Sequence, residues 1–292
     1  MDKQEFKGYL LVLAGGAIWG TIGPFIKLMA DLGASSLLIS FLRMAFAFLI
    51  MLVITLYKFR LPALRVSGKE LFGCALLGLI CHGIYNVFYT LAVTLTGVTI
   101  SAVLLNIAPV FTAITAYIFL HEPMQQRKII AFAINIIGCV LAATNGSIDS
   151  SNISVIGILY GVGAGICYAL TAIIGLLAGR NTNVFTLSTY SYFFAALFLA
   201  VYEAPWQDEH LYQSDILTLG FFFALIPTAI AYLLYYQGLQ YIKETSRVPV
   251  IASVETLVAA ILGILFFHDS LHLVSGIGIV IVFFSIWLIN KK

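Results

Sequence analysis

The chain has 292 residues, of which 61% are hydrophobic and 10% charged, with a formal net charge of +2 and a mean hydropathy of +1.03. A soluble globular domain carries about 25% charged residues, so this chain lacks the charges to cover a water-facing surface, and lipid must be the solvent for most of it. Its basic residues are not gathered into a run, which excludes the cationic footprint of a nucleic-acid binder.

A bilayer core is crossed by about 20 apolar residues in a helix. Ten such runs follow one another, at 8–30, 35–57, 70–95, 99–120, 127–145, 153–178, 185–203, 214–238, 246–267 and 271–290. The first is too long for the apolar core of a signal peptide and is expected to stay as a span. The connections are short, the longest running from Lys58 to Lys69 and from Glu203 to Asp215. With the N-terminus in the cytoplasm, Lys3, Lys7, Lys58, Arg60, Arg65, Lys69, Arg127, Lys128, Arg180, Lys243, Arg247, Lys291 and Lys292 all fall inside. The outer connections then carry acids, among them Asp149, Asp208, Glu209 and Asp215. This is the positive-inside pattern. It predicts two cytoplasmic termini, hence an even number of spans.

The halves 1–147 and 148–292 resemble each other. Gly8–Ala30 aligns with Gly157–Gly179, pairing Gly16 with Gly165 and Trp19 with Tyr168. Tyr85 and Tyr89 align with Tyr232 and Tyr236, and Ile118–Glu122 with Leu265–Asp269. Five spans per half is an odd number, so the second half enters the membrane with inverted orientation, an arrangement found in secondary transporters. The fold expected is all-α: ten transmembrane helices in two inverted five-helix repeats.

Three segments carry a family resemblance: Gly15–Lys27 (GGAIWGTIGPFIK), Asn106–Met124 (NIAPVFTAITAYIFLHEPM) and Ser253–Leu271 (SVETLVAAILGILFFHDSL). With the charged turn opening the fifth span, they resemble the drug/metabolite transporter superfamily in its EamA-type 5+5 form. The sequence departs from the common pattern at Ala108, where an acid often precedes Pro109, and at Thr256, where a proline often follows Glu255. The resemblance implies a substrate cavity between spans 1–4 and 6–9, with spans 5 and 10 peripheral. It also implies transport of small metabolites, export of amino acids or related compounds first among them. Import of a small nutrient, efflux of cationic drug-like compounds and a non-transporting receptor or scaffold are the alternatives.

Ionisable groups inside a membrane are costly and point to function. Arg43 in span 2 and Glu255 in span 9 are expected at similar depth, so a structural ion pair and a pair of cavity-facing groups both fit the sequence. Span 3 carries His82, Tyr85, Asn86 and Tyr89 at helical spacing, and span 8 repeats the stripe with Thr228, Tyr232, Tyr235 and Tyr236. Such stripes must face protein or water. Trp19 and Tyr168 lie mid-span, away from the interface belts, and Asn106 adds a polar group in span 4. Pro24, Pro109, Pro227 and Pro249 interrupt spans and are candidate hinges. Gly16 and Gly20, and Gly157, Gly161 and Gly165, offer close helix packing. His121, Glu122, His268 and Asp269 are expected at the interface, with gating contacts as the alternative. Cys74, Cys81, Cys139 and Cys167 lack metal-type spacing and read as packing residues.

Residues 121–125 (HEPMQ) lack the second histidine of a zinc-binding HExxH, and no phosphate-binding Gly-Lys-Ser/Thr loop is present. Neither an enzyme nor a cofactor is expected. The expected partners are a small-molecule substrate and membrane lipid, with no nucleic acid; a homodimer stays open. The expected location is the inner membrane of a bacterium, spanned many times.

Overall fold

A computed structural model describes residues 3–96, 101, 104–144, 154–267 and 273–290. Among the described residues every regular element is helical, as apolar runs in lipid require, because a helix satisfies its own backbone polar groups. In chain order the α-helices are α1 Lys3–Trp19, α2 Ile22–Asp31, α3 Ser36–Phe59, α4 Gly68–Leu76, α5 Tyr85–Thr96, α6 Ala108–Leu120 and α7 Gln126–Thr144. The second half supplies α8 Val155–Gly179, α9 Val184–Glu203, α10 Ser214–Ala224, α11 Ala231–Leu239, α12 Val248–Ala252, α13 Val254–Phe267 and α14 Leu273–Asn290. Ser35, Ser154 and Asn183 cap α3, α8 and α9 through their side-chain oxygens, and Ser67 with Glu70 forms a capping box on α4.

Six stretches are long and apolar enough to cross a bilayer: Lys3–Asp31, Ser36–Phe59, Gly68–Ala92, Val155–Gly179, Val184–Tyr202 and Ser214–Leu239. Ala108–Leu120 and Gly276–Ile289 are shorter apolar helices. His268, Asp269, Asp149, Lys291 and Lys292 lie outside the described residues.

Several runs that the sequence presents as continuous are broken. The first is interrupted at Gly20–Thr21, where Thr21 Oγ1 donates to Ile18 O at 2.7 Å. The third widens into a π-helix over Leu77–Ile84 between α4 and α5, and the eighth does the same over Leu225–Ile230 between α10 and α11. These two π segments immediately precede the repeat-related Tyr85 and Tyr232. Widened turns of this kind cost hydrogen-bond geometry and are common at functional sites. The ninth run breaks at Ser253, between α12 and α13.

Three of the four candidate hinge prolines sit in the first turn of the helix that follows a break or turn: Pro24 in α2, Pro109 in α6 and Pro249 in α12. A missing N–H is harmless there, because first-turn donors have no intrahelical partner. Pro227 alone lies inside a widened turn.

The packing is reciprocal between halves. α1 lies against α11, and its repeat counterpart α8 lies against α5; α3 pairs with α9 and α7 with α14. Close approach of α1 to the second half relies on glycine. A Cβ at Gly15 would stand 2.9 Å from Ala231 O, one at Gly16 2.7 Å from Ala252 O, and one at Gly20 2.8 Å from Glu255 O. The outer faces of α7 and α14 expose Ile129, Ile130, Ile137, Ile277, Val280, Phe283, Phe284 and Trp287, apolar surface suited to lipid.

Candidate functional site

The largest buried core of the bundle sets a group of aromatic side chains, Trp19, Tyr192, Tyr232, Tyr235 and Tyr236, among aliphatic ones. Trp19, at the last turn of α1, meets Tyr232 at 4.7 Å and Tyr235 at 4.9 Å between ring centroids, and Tyr168 edge-on at 6.2 Å. Tyr168 also meets Tyr85 at 6.0 Å, and Tyr85 stacks on Tyr89 at 5.9 Å. Residues from α1, α5, α8 and α11 thus form one ring system assembled from both halves. Trp19 is 3% exposed, and its buried indole Nε1 has no hydrogen-bond partner among the described residues. Leaving such a donor unmade in a core costs about 1–3 kcal/mol.

A second layer is hydrogen-bonded. His82 in the first π segment shares a 3.1 Å bond with Tyr236 OH and packs against Tyr192 and Tyr232. Asn86 donates to His82 O. Tyr192 OH donates to Thr228 O at 3.4 Å. Asn106 lies in the turn before α6 and is half-buried.

The two ionisable candidates are near the aromatic cluster but are not joined to each other. Arg43 is 5% exposed. Its Nε donates to Thr228 Oγ1 at 2.8 Å, and its guanidinium lies 4.9 Å from the centre of the Phe223 ring. The Thr228 hydroxyl donates in turn to Phe223 O at 3.1 Å, a bond reaching back five residues that the widened turn makes available. Among the described residues no acid comes within 4.0 Å of Arg43. Arg43 and Glu255 are therefore not in ion-pair contact, although the Arg43 charge acts on the Glu255 carboxylate from a longer distance. Glu255 begins α13 just past the break at Ser253 and is half-buried.

A pocket of about 70 Å³ is lined by Ile26, Ser36, Ile39, Ser40, Arg43, Tyr89, Thr90 and Phe223. It extends from Ser36, the first residue of α3, to Arg43 two turns deeper. The end of the bundle nearest to it carries the connections 32–35 and 204–213. Phe223 and Tyr192 were not singled out from the sequence. Tyr192 lies in a run of aromatics (Tyr190–Phe194) that carries no helical stripe to mark it.

The opposite end is sealed. Glu122, expected at the interface, is 8% exposed. Its carboxylate accepts from Thr245 N at 2.5 Å, Ser246 N at 3.1 Å and Ser246 Oγ at 2.6 Å. These donors start the helical turn leading into α12, where N–H groups are unpaired and an anion is favoured. Lys128 Nζ stands 3.8 Å from Glu122 and 2.9 Å from Glu244, while also donating to Pro123 O and Ser246 Oγ. Arg247 Nε bonds Glu244 at 2.8 Å, and its Nη1 reaches Tyr9 OH at 3.5 Å. Burial alone would raise the Glu244 carboxyl. Hydrogen bonds and charges from Arg247 and Lys128 outweigh it and hold that group below its ordinary 4.5.

One more buried polar cluster joins the α7–α14 pair to the break at Ser253. Asn135 Nδ2 donates to Ser253 Oγ at 2.8 Å and Ser285 Oγ at 3.0 Å; those hydroxyls donate to Val250 O and Val282 O. The sequence signal for it was a lone amide in an apolar run.

Comparison with known proteins matches this architecture. An uncharacterized transporter of Archaeoglobus fulgidus is 24% identical over 93% of this chain and 92% of its own length. An uncharacterized transporter of Clostridium kluyveri is 27% identical over 94% and 90%. An uncharacterized inner membrane transporter of Salmonella typhimurium is 24% identical over 97% and 95%. A protein of known crystal structure, 11% identical, superposes with a TM-score of 0.82 over 97% of this chain and 96% of that one, a likeness of fold. The EamA-like transporter family matches residues 6–144 and again 155–291. The chain is an integral membrane protein, and with nearly its whole length covered by that double match it belongs to the EamA-like transporter family.

Proposed function

We propose that this chain is a secondary transporter that moves small organic metabolites by alternating access, with export of amino acids or related compounds as the leading activity. The observation that carries the proposal is the placement of Arg43 and Glu255 beside an aromatic cluster drawn from both matched halves, sealed at one end and approached by a pocket from the other. A receptor or scaffold has no need of a buried cation that, among the described residues, has no acid within 4.0 Å.

The proposal includes ten spans as two inverted five-helix repeats, both termini cytoplasmic, in the inner membrane of a bacterium. Reciprocal packing of α1 on α11 and α8 on α5 supports the repeat. The basic connections support the orientation, which makes the sealed end cytoplasmic. Glu255, a protonatable carboxylate with no ion-pair partner among the described residues, is the candidate for coupling to a proton gradient.

The aromatic faces of Trp19, Tyr232 and Tyr235 favour a second reading, efflux of organic cations held by cation–π contacts. Uptake and counterflow in proteoliposomes, with native protein and Glu255→Gln, with and without a pH gradient, tests both. Movement of amino acids, with only the gradient-driven component lost in the variant, supports the first reading. Movement of cationic aromatics alone supports the second. No movement across a broad panel sinks transport.

A further inference from the structure

Arg43 poses a problem that the transporter reading does not by itself answer. A buried guanidinium is costly unless a counter-charge and hydrogen bonds compensate it. Among the described residues the hydrogen-bond partner of the guanidinium is Thr228 Oγ1, on Nε. That bond, with the Phe223 ring against the guanidinium, fixes the plane of the group. The Nη edge remains, and Arg43 lines the pocket together with Ser36, Ser40 and Tyr89.

We propose that Arg43 is a docking site for the carboxylate of a small solute, reached through the pocket from the end of the bundle that carries Ser36. The guanidinium edge presents parallel N–H donors whose spacing matches a planar carboxylate. The pocket offers about 70 Å³, more than the roughly 10–15 Å³ that one water needs on that measure. That space admits a carboxylate headgroup beside the guanidinium. Once bound, the carboxylate supplies a counter-charge in direct contact, which no acid among the described residues provides within 4.0 Å.

This inference rests on the transporter reading for its solute but is tested by binding. Purified full-length protein in detergent is titrated with acetate, with neutral amino acids, and with chloride and phosphate as controls, following thermal unfolding. The same titrations are run on Arg43→Met and Arg43→Lys. Carboxylates, and not chloride, raise the unfolding temperature of native protein. Arg43→Met weakens that binding about 100-fold or more, the scale on which a buried charge pair loses a partner.

Arg43→Met in the absence of ligand is as stable as native protein or more so, because a buried charge with no acid in contact among the described residues has gone and Thr228 keeps its bond to Phe223 O. Arg43→Lys binds weakly, keeping the charge without the fork. Three outcomes overturn the site: a ligand-free Arg43→Met that unfolds readily, a carboxylate response that survives it, or stabilisation by chloride as strong as by carboxylate. If carboxylates bind at Arg43 but nothing crosses liposomes, transport fails and the site stands. If a solute is transported equally well by Arg43→Met, the site fails and transport stands.

Discussion

Glu122 is the strongest single test of how the sealed end is held. Its carboxylate accepts three hydrogen bonds, two from backbone N–H groups at the start of a helical turn, and lies 3.8 Å from Lys128. Hydrogen bonds to a charged group contribute about 1.5–3 kcal/mol each, and a buried donor left unmade costs about 1–3 kcal/mol. These are not additive, and breaking a buried charged contact by removing one partner costs about 3–5 kcal/mol. Glu122→Ala should therefore destabilise the sealed conformation by about 3–5 kcal/mol; Glu122→Gln, which turns an amide N–H₂ toward one of the donors, by about 2–3 kcal/mol. At about 1.4 kcal/mol per tenfold change, the smaller loss moves the balance toward conformations open at this end by more than tenfold. The assay is maleimide labelling of Val12→Cys in a background without the four native cysteines. Val12 is fully buried at this end, packed against Gly238. Labelling should quicken by at least about tenfold in Glu122→Gln, with a lower unfolding temperature in detergent. An unchanged labelling rate would falsify the assignment of Glu122 as the bond that holds this end shut.

Asn135→Leu removes both hydrogen bonds to Ser253 and Ser285 and should cost about 1–3 kcal/mol, read as a fall in the unfolding temperature, while Asn135→Asp should be worse because it buries a charge. Glu244 has a folded-state pKa below its ordinary 4.5, so its contribution is complete above the unfolded value and fades as pH falls through the folded one. Native protein should lose unfolding temperature below pH 4.5, and Glu244→Gln should flatten that part of the profile; an identical profile in the variant excludes Glu244 as the titrating group. Gly20→Ala places a Cβ 2.5 Å from Val258 Cβ and 2.8 Å from Glu255 O and should cost about 1–3 kcal/mol by overpacking. Val258→Ala should restore only part of that, because the backbone oxygen stays.

Membrane character was legible because hydropathy and charge placement act over whole runs. The aromatic cluster was legible through repetition: Tyr85 and Tyr89 in one half predict Tyr232 and Tyr236 in the other. What escaped depends on contacts between runs. Arg43 and Glu255 have similar expected depths, so depth alone left their pairing open. Thr228, displaced toward Arg43 by a widened turn that no propensity announces, accepts the Arg43 bond instead. Glu122 reads as an interfacial acid until the start of α12, more than a hundred residues on, is seen to bring its unpaired N–H groups to it. The prolines mark the neighbourhood of breaks but not their sites, since Gly20 and Ser253 are the residues at which helices end.

Those two breaks explain how a rigid bundle could open at one end only. A Cβ at Gly20 would touch Glu255 O and one at Gly16 would touch Ala252 O, so the interruption between α1 and α2 faces the interruption between α12 and α13. The segments on the sealed side, α1 and α12, are held by glycine packing and by the charged network around Glu122, Lys128, Glu244 and Arg247. Those on the other side, α2 and α13, need not follow if α1 and α12 tilt. Glu255 begins α13 directly past the break, and Trp19 ends α1 directly before one, so tilting changes the surroundings of both without unfolding a helix. Bistable closure of this kind requires the sealing contacts to be polar and few. Lipid offers no hydrophobic drive between helices, and a seal made of hydrogen bonds and ion pairs can be exchanged for water when that end opens.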